Sequence, residues 1–361
     1  MSDLDDIYHS SSFDFRINEV PLEELILHYE RVNFLYPEKK KRIQHVLPII
    51  VQNWKKALQA KDQLLWVASS HRNNFQKMAT ISLWRSTKNC WLAQHLTSNA
   101  GPSYVRNILI GTQLHAIENK YRAGQNWFQP KNKYANKIFG SIESSIGSPY
   151  AKVSSYNYYY LHPDINKITD SSISIVQCRN NYYQKTLLQF LLDTMGNVFI
   201  ETEEWDQDDI ELEQINDLYS KFDLFRYRSI WMAFNKTYGD EPVGVLTAYR
   251  GPLGFNFSLL ENRMELILNS NLKNEKRFAI FSQLINKALS AYETHYPLKV
   301  IPLVIHSNIE RNIESSNLEY IRTYNKSSWI NKGFEPWCRH VAHFFEIIEN
   351  NFKKEQNVSK E

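Results

Sequence analysis

The sequence is short of glycine and cysteine, and it has no long apolar run. It contains 11 glycines and 3 cysteines in 361 residues. Loops that cradle phosphate groups normally need glycine, so the chain offers few places for one. The three cysteines, Cys90, Cys178 and Cys338, are far apart, which argues against a disulfide framework and against a zinc site. No apolar run has the length that a membrane crossing needs.

An excess of charge of one sign is missing as well. The formal net charge is +3, and lysine and arginine are scattered apart from short runs such as residues 39–42. A nucleic-acid surface should carry a broad basic patch, so the sequence predicts no nucleic-acid partner. Residues 1–6 are acidic and lack the apolar segment of a secretory signal. We therefore expect a cytoplasmic protein with no membrane partner.

The length and the order of the predicted elements indicate two domains. A chain of 361 residues exceeds the usual size of a single core. Residues 13–165 and 198–349 repeat one order: strand, helices, three strands, helix, strand, helix, strand. Residues 166–197 are predicted to form a linker and a bridging helix. Residues 1–12 are expected to be flexible, and the charged tail 350–361 to be disordered.

The segment 327–336 is predicted to be the end of a helix followed by a strand. Gly333 stands where the last turn of a helix favours a left-handed residue. A strand is then predicted over residues 341–346. On a strand, His340 and His343 would point to opposite faces, so they do not suit one metal ion. Another strand is predicted at residues 198–200, where three apolar residues follow one another.

These patterns resemble the N-acetyltransferases of the GNAT superfamily over nearly the whole chain. Residues 241–246 resemble the start of the family's third strand, and residues 331–334 resemble its terminal-helix motif. The implied fold class is α/β, with two tandem GNAT-like domains, each a mixed, mostly antiparallel sheet flanked by helices. The first domain is the degenerate copy, because Ala79 stands at the glycine position and no Lys-Gly-Phe motif is clear there.

The resemblance implies an N-acyltransferase that moves an acetyl group from acetyl-CoA, its cosubstrate, to an amine. In the family the fourth strand splays from the fifth, and the loop after it presents backbone N–H groups to the pyrophosphate. That loop contains Lys276, Arg277 and Ala279 here, with Arg277 in place of a glycine. The backbone of the fourth strand, at Leu266 and Leu268, would bind the cofactor and polarise the thioester carbonyl.

Two residues are candidates for catalysis. Glu265 lies on the predicted fourth strand and could be the base, since only a neutral amine attacks a thioester. The alternative is an outward residue on an alternating strand. In the family a tyrosine of the terminal helix protonates the leaving thiolate. Trp329 stands at that position and cannot be an acid, so Tyr324, one helical turn away, is the candidate, with packing as its alternative.

A second function stays open beside the enzyme. A non-catalytic binding or regulatory protein that has lost acetyl-CoA would also lack the loop glycine and could carry Trp329. If the second domain is active, we expect a small-molecule or peptide amine as acceptor. No metal is expected, and a partner protein is compatible with either function.

Overall fold

The computed structural model describes residues 14–72, 75–162, 170–179, 181–236, 239–270, 272, 274–292, 300–307 and 317–358. The strands are β1 (Arg16–Ile17), β2 (Leu65–Arg72), β3 (Lys77–Arg85), β4 (Cys90–Ser98), β5 (Ala123–Phe128), β6 (Ala151–Leu161), β7 (Ile173–Cys178), β8 (Tyr227–Asn235), β9 (Pro242–Arg250), β10 (Met264–Leu268), β11 (Ile301–His306) and β12 (Leu318–Ile330). The helices are α1 (Leu22–Arg31), α2 (Pro37–Ile43), α3 (Leu47–Gln59), α4 (Pro102–Glu118), α5 (Lys133–Ile138), α6 (Ile142–Ile146), α7 (Asn181–Met195), α8 (Asn197–Glu203), α9 (Glu213–Ser220), α10 (Asn274–Tyr292) and α11 (Phe334–Val358).

The chain forms two compact units whose limits differ from the predicted domain boundaries. Unit 1 comprises residues 1–127, 131–153 and 327–361, and unit 2 comprises residues 128–130 and 154–326. The predicted linker, 166–197, and its helix α7 belong wholly to unit 2. The last part of the predicted second domain, from residue 327, belongs to unit 1. The reason is that the long strands β6 and β12 each divide between the units, which a linear division of the chain does not foresee.

In unit 1 the strands follow the order β1-β2-β3-β4-β5, and the end of β12 lies beside β5. Pairing from β1 to β4 is antiparallel. Strands β4 and β5 are parallel, and the helix α4 connects them. A parallel pair needs such a crossover, because a tight hairpin can join only antiparallel strands. The result is the mixed, mostly antiparallel sheet that the sequence predicts.

Unit 2 repeats this arrangement. Strands β7 to β10 are antiparallel, and β10 and β11 are a parallel pair connected by α10. The last six residues of β6, Tyr156 to Leu161, then pair with β11, and β6 lies next to β12. The apolar face of β9, β10 and β11 packs against α10. The buried residues of the strands in this core include Val243, Leu246, Met264, Leu266, Leu268, Leu303 and Ile305, and those of α10 include Ile280 and Leu284. The predicted repeat of architecture is confirmed.

The prediction for the segment 327–336 is wrong in its order of elements. Strand β12 ends at Ile330, a 3-10 turn covers Asn331–Gly333, and the long helix α11 begins at Phe334. Gly333 therefore precedes a helix, and a side chain there would meet the Ile146 Cδ1 atom at 2.7 Å. The apolar residues from Phe334 to Phe345 follow a helical spacing and are buried, which is the signal that the strand prediction missed.

Three further local predictions are corrected. Residues 198–200 lie in the helix α8, because a short apolar run fits a buried helix as well as a strand. The helix α11 extends to Val358, so the predicted disorder is wrong for residues 350–358. On this helix His340 and His343 share a face, and the His340 Nε2 atom lies 3.1 Å from the Ser141 Oγ atom. The predicted flexible start, residues 1–12, and residues 163–169 of the linker region lie outside the described residues.

Gly124 on β5 provides a test of packing in unit 1. A Cβ atom there would lie 2.7 Å from the ring of Trp329, which is stacked on Trp337 with ring centroids 5.4 Å apart. Because both indoles are buried, Gly124→Ser should destabilise the protein by about 1 to 3 kcal/mol in urea unfolding. The control is Gly101→Ser, since Gly101 has open space around it and serine is a favourable N-cap residue for α4. Equal stability of the two variants would contradict this packing.

Candidate functional site

The parallel strands of unit 2 separate at their carboxyl ends. Strands β10 and β11 are paired from Met264 with Leu303 to Leu266 with Ile305. Beyond that point β10 stays with β9, whereas His306 of β11 is paired with Tyr156 of β6. Ligands of open α/β sheets bind at the carboxyl ends of parallel strands, where neighbouring strands diverge. This divergence is therefore the first place to look for a site.

A cavity of about 700 Å³ lies at this place. Its wall comes from α7, from the segment before β9 and from the ends of β10 and β11. The lining residues are Lys185, Thr186, Gln189, Phe190, Asp193, Thr194, Met195, Asp240, Glu241, Pro242, Leu268, Asn269, Ser270 and His306. This volume is within the usual range for small-molecule sites.

The charges of the cavity are concentrated at its rim. Asp193, Asp240 and Glu241 are exposed carboxylates, and Lys185 is an exposed amine. His306 is the one ionisable side chain of the described wall that is half-buried. The rim therefore carries more negative than positive charge, and a titratable ring lies deeper, at the end of β11.

A group of fully buried charges lies on the same face of the sheet as His306. We call Glu203, Arg263, Glu265 and Lys326 the buried ion cluster; each is at most 2% exposed. The Glu265 Oε2 atom accepts hydrogen bonds from the Arg263 Nε and Nη2 atoms at 3.0 and 2.8 Å. Glu203 is paired with Lys326 and lies 3.5 Å from the Arg263 Nη2 atom. Each carboxylate of the cluster thus has a cation beside it.

Charge determines the ionisation of this cluster. Burial would raise the pKa of Glu203, but the charges of Lys326 and Arg263 outweigh it and lower the pKa to about 2. Burial also raises the pKa of Tyr156 well above its usual value, and the charge of Glu265 adds to this effect. Glu203 is therefore a carboxylate at neutral pH, and Tyr156 keeps its proton.

The structure places the two predicted catalytic residues away from the cavity wall. Glu265 is 1% exposed and belongs to the buried ion cluster. Tyr324 lies on the strand β12 and not on a terminal helix, and its hydroxyl is 2.7 Å from the Ser258 Oγ atom. Neither side chain lines the cavity. Tyr156 lies near both the cavity and the buried ion cluster. Its ring centroid is 5.3 Å from that of His306, and the charge of Glu265 raises its pKa.

The predicted cofactor residues occupy the end of β10 and the start of α10. Leu268 lines the cavity, and Leu266 is buried beneath it. Lys276 forms an ion pair with Asp170 at 2.8 Å, and Ala279 is buried in the core. The predicted loop is thus already the first two turns of a helix.

Arg277 is bonded to the cavity wall, although it is not itself a lining residue. Its Nη2 atom donates a hydrogen bond to the backbone oxygen of Ser270, a lining residue, at 2.7 Å. Its Nε atom is buried and has no hydrogen-bond partner in the described part of the chain. A guanidinium with a donor to spare suits a negatively charged group.

Sequence reasoning missed His306 and the contribution of α7. His306 directly follows a correctly predicted apolar strand, so the rule that ligands bind at the ends of parallel strands could have pointed to it. The residues of α7 carry no comparable signal, because its polar side chains are those of an ordinary surface helix.

The corresponding place in unit 1 is filled by aromatic rings. Pairing of β4 with β5 ends at Ala93 and Asn126, and His95 follows two residues later. The rings of Tyr29, Phe34 and Trp54 lie 5.7, 5.2 and 5.9 Å from the His95 ring. Burial lowers the pKa of His95 well below its usual value, so the ring is neutral. The side chains themselves occupy this space.

Comparison with solved structures finds similar folds at low sequence identity. A tandem GNAT protein from the clavulanic acid biosynthesis pathway is 9% identical, over 88% of this chain and 99% of its own, with a TM-score of 0.40. A Drosophila protein is 11% identical, also over 88% of this chain and 99% of its own, with a TM-score of 0.44. A GCN5-related N-acetyltransferase from Kribbella flavida is 9% identical, over 69% of this chain and 86% of its own, with a TM-score of 0.40. No family model and no curated protein matches the chain.

The strand topology of each unit defines its fold. Each unit has antiparallel strands that lead to a parallel pair joined by a helix, and the pair separates at its carboxyl end. This is the order that the resemblance to the GNAT superfamily implies, and it occurs twice. The protein is a tandem GNAT-like α/β protein in fold.

None of the described helices combines the length and the apolar character that a membrane crossing requires. Within the described ranges, no three side chains among histidine, cysteine, aspartate and glutamate come together in a group that could hold a metal ion.

Proposed function

We propose that unit 2 is an acyl-CoA-dependent N-acyltransferase that moves an acetyl group to an amine. The observation that carries the proposal is the cavity at the point where β10 and β11 separate. Acetyl-CoA would supply an activated thioester there. The chain would supply a binding surface for it, a second surface for the amine, and a way to remove a proton from that amine.

The cofactor side of the site is the end of β10 and the beginning of α10. Ser270 is on the cavity wall, and the Arg277 Nη2 atom donates a hydrogen bond to its backbone oxygen. The N-terminus of a helix also favours anions. These features suit a pyrophosphate, although the family's glycine is replaced. Lys276 contributes less than the sequence predicted, because Asp170 neutralises it.

The acceptor side is the rim of the cavity. Asp193, Asp240 and Glu241 outnumber Lys185, so the rim attracts cations more than anions. An amine is cationic at neutral pH, and this rim would raise its local concentration. The acceptor would be a small-molecule or peptide amine, in agreement with the sequence-based prediction. Unit 1 would serve structure, since aromatic rings fill its equivalent space.

Binding of acetyl-CoA is the direct test. At a concentration 100 times its Kd, acetyl-CoA should stabilise the protein by about 2.7 kcal/mol, seen as a higher unfolding temperature. Arg277→Glu should remove most of this shift, because it places a negative charge beside the pyrophosphate. Lys287→Glu is the matched control: it makes the same charge change on the exposed side of α10.

Two results would decide against the proposal. If millimolar acetyl-CoA does not change the unfolding temperature of the wild type, the proposal that unit 2 is an acetyl-CoA-dependent enzyme is wrong. The non-catalytic binding protein then becomes the preferred function. If the shift persists in Arg277→Glu, acetyl-CoA binds at another place.

A further inference from the structure

We propose that His306 is the catalytic base of unit 2 and accepts the proton of the acceptor amine. This inference rests on the proposed function and deepens it. No sequence feature assigned a role to this residue, which the structure places at the end of β11 in the cavity wall.

The position of the side chain follows from strand alternation. Ile301, Leu303 and Ile305 pack into the core beside α10. Successive side chains of a strand point to opposite faces, so His306 points to the other face. It lies there one residue beyond the last pair of β10 with β11. The ring is therefore at the point where a thioester entering between the strands and an amine from the rim would meet.

Glu265 is on the same face but cannot perform this role directly. It is 1% exposed, it is absent from the cavity wall, and Arg263 holds its carboxylate in two hydrogen bonds. Taking a proton would leave the guanidinium buried beside a neutral acid, which is unfavourable. The ring of Tyr156 is edge-on to that of His306, with the ring centroids 5.3 Å apart.

The rim carboxylates are weaker candidates than the histidine. Asp193, Asp240 and Glu241 are all exposed to solvent. An ordinary carboxylate in water is a weaker base than imidazole, whose usual pKa near 6.5 leaves it neutral and able to take a proton at pH 7. Among the residues that the structure describes, the charged groups that line the cavity together with the ring are these three carboxylates and Lys185.

The proton balance of the step is complete. The ammonium of the acceptor gives one proton to a ring nitrogen of His306 and becomes a neutral amine. The amine nitrogen forms a bond to the acyl carbon, and the carbon–sulfur bond breaks. The leaving thiolate takes the proton from His306, and the second proton of the amine is released to water. The products are an amide, a thiol and one proton.

The test compares the wild type with His306→Gln, using acetyl-CoA as the probe and water as the nucleophile. Thiol release by the wild type should rise through the titration range of an imidazole. The variant should be slower by about 100-fold or more, with that pH dependence lost. Both proteins should keep the same acetyl-CoA shift in unfolding temperature. His162→Gln is the matched control, since His162 is in unit 2, 49% exposed and outside the cavity wall.

A second readout does not depend on turnover. In the wild-type NMR spectrum, the imidazole signal that His306→Gln removes should move when acetyl-CoA is added. An unmoved signal, or an unchanged rate and pH profile in the variant, would overturn the role of His306 while acetyl-CoA binding still stands. Binding without any thiol release by the wild type would overturn it too. Absence of the acetyl-CoA shift in the wild type would instead remove the proposed function, and this inference with it.

Discussion

Replacing Arg263 by methionine is expected to destabilise the protein by about 3 to 5 kcal/mol, because it leaves the buried Glu265 carboxylate without its cation. Arg263 is 2% exposed and holds Glu265 through two hydrogen bonds. Its guanidinium also lies over the ring of Tyr249, 3.9 Å from the centroid. Urea unfolding of Arg263→Met measures the loss directly.

A second variant separates charge from packing. In Arg263→Met/Glu265→Met the carboxylate is removed together with its partner, and such a double replacement is often nearly neutral. It should therefore recover much of the lost stability. Arg179→Met is the control for losing an exposed arginine of unit 2, with an expected change within about 0.5 kcal/mol. If the double variant is as unstable as Arg263→Met, packing and not charge explains the loss.

Glu261 is expected to make the stability of the protein depend on pH between about 4.5 and 8. Burial, only partly offset by backbone hydrogen bonds, raises the pKa of Glu261 from its usual value near 4.5 to about 8. Above pH 4.5 the unfolded chain ionises this carboxyl while the folded protein keeps the proton. Stability is therefore full below pH 4.5 and declines until pH reaches about 8. At about 1.4 kcal/mol per pKa unit, the loss amounts to about 3 to 5 kcal/mol.

Glu261→Gln tests this expectation. The amide stays neutral at every pH, and its oxygen can still accept the hydrogen bond from the Gly254 N–H, which is 2.8 Å long in the wild type. The variant should match the wild type near pH 4.5 and be the more stable protein at pH 8, as measured by urea unfolding at both values. Glu213→Gln, on the exposed side of α9, should show no such difference. A constant difference between variant and wild type across this range would refute the raised pKa.

The fold could be predicted from the sequence to the extent that it depends on local patterns. The strands β8, β9, β10 and β11 and the helix α10 were visible as apolar alternation and helical spacing. The segment after Ile330 was misread, because Lys332 and Gly333 suit the end of a helix as well as a tight turn before one. The packing of Gly333 against Ile146, which is distant in the chain, belongs to the turn before a helix, and no local pattern of residues reveals it.

The candidate site was less predictable than the fold. Arg277 is a candidate through the resemblance, and it donates a hydrogen bond to Ser270, a residue of the cavity wall. Glu265 also looked accessible, because nothing in a strand pattern reveals that Arg263, two residues away on the same face, would pair with it in the interior. His306 carried no local signal beyond its place at the end of a strand.

The sequence by itself determined the class of this protein: two α/β units with mixed sheets, few glycines for a phosphate loop, and an element order that resembles the GNAT superfamily twice. These features are local, since they follow from side-chain periodicity and turn residues. The tertiary structure decided which residues meet. It gave residues 327–361 to unit 1, buried Glu265 with Arg263, filled the space around His95 with rings and placed His306 in an open wall. Such contacts join residues far apart in the chain, and their charges and burial have no counterpart in a local pattern.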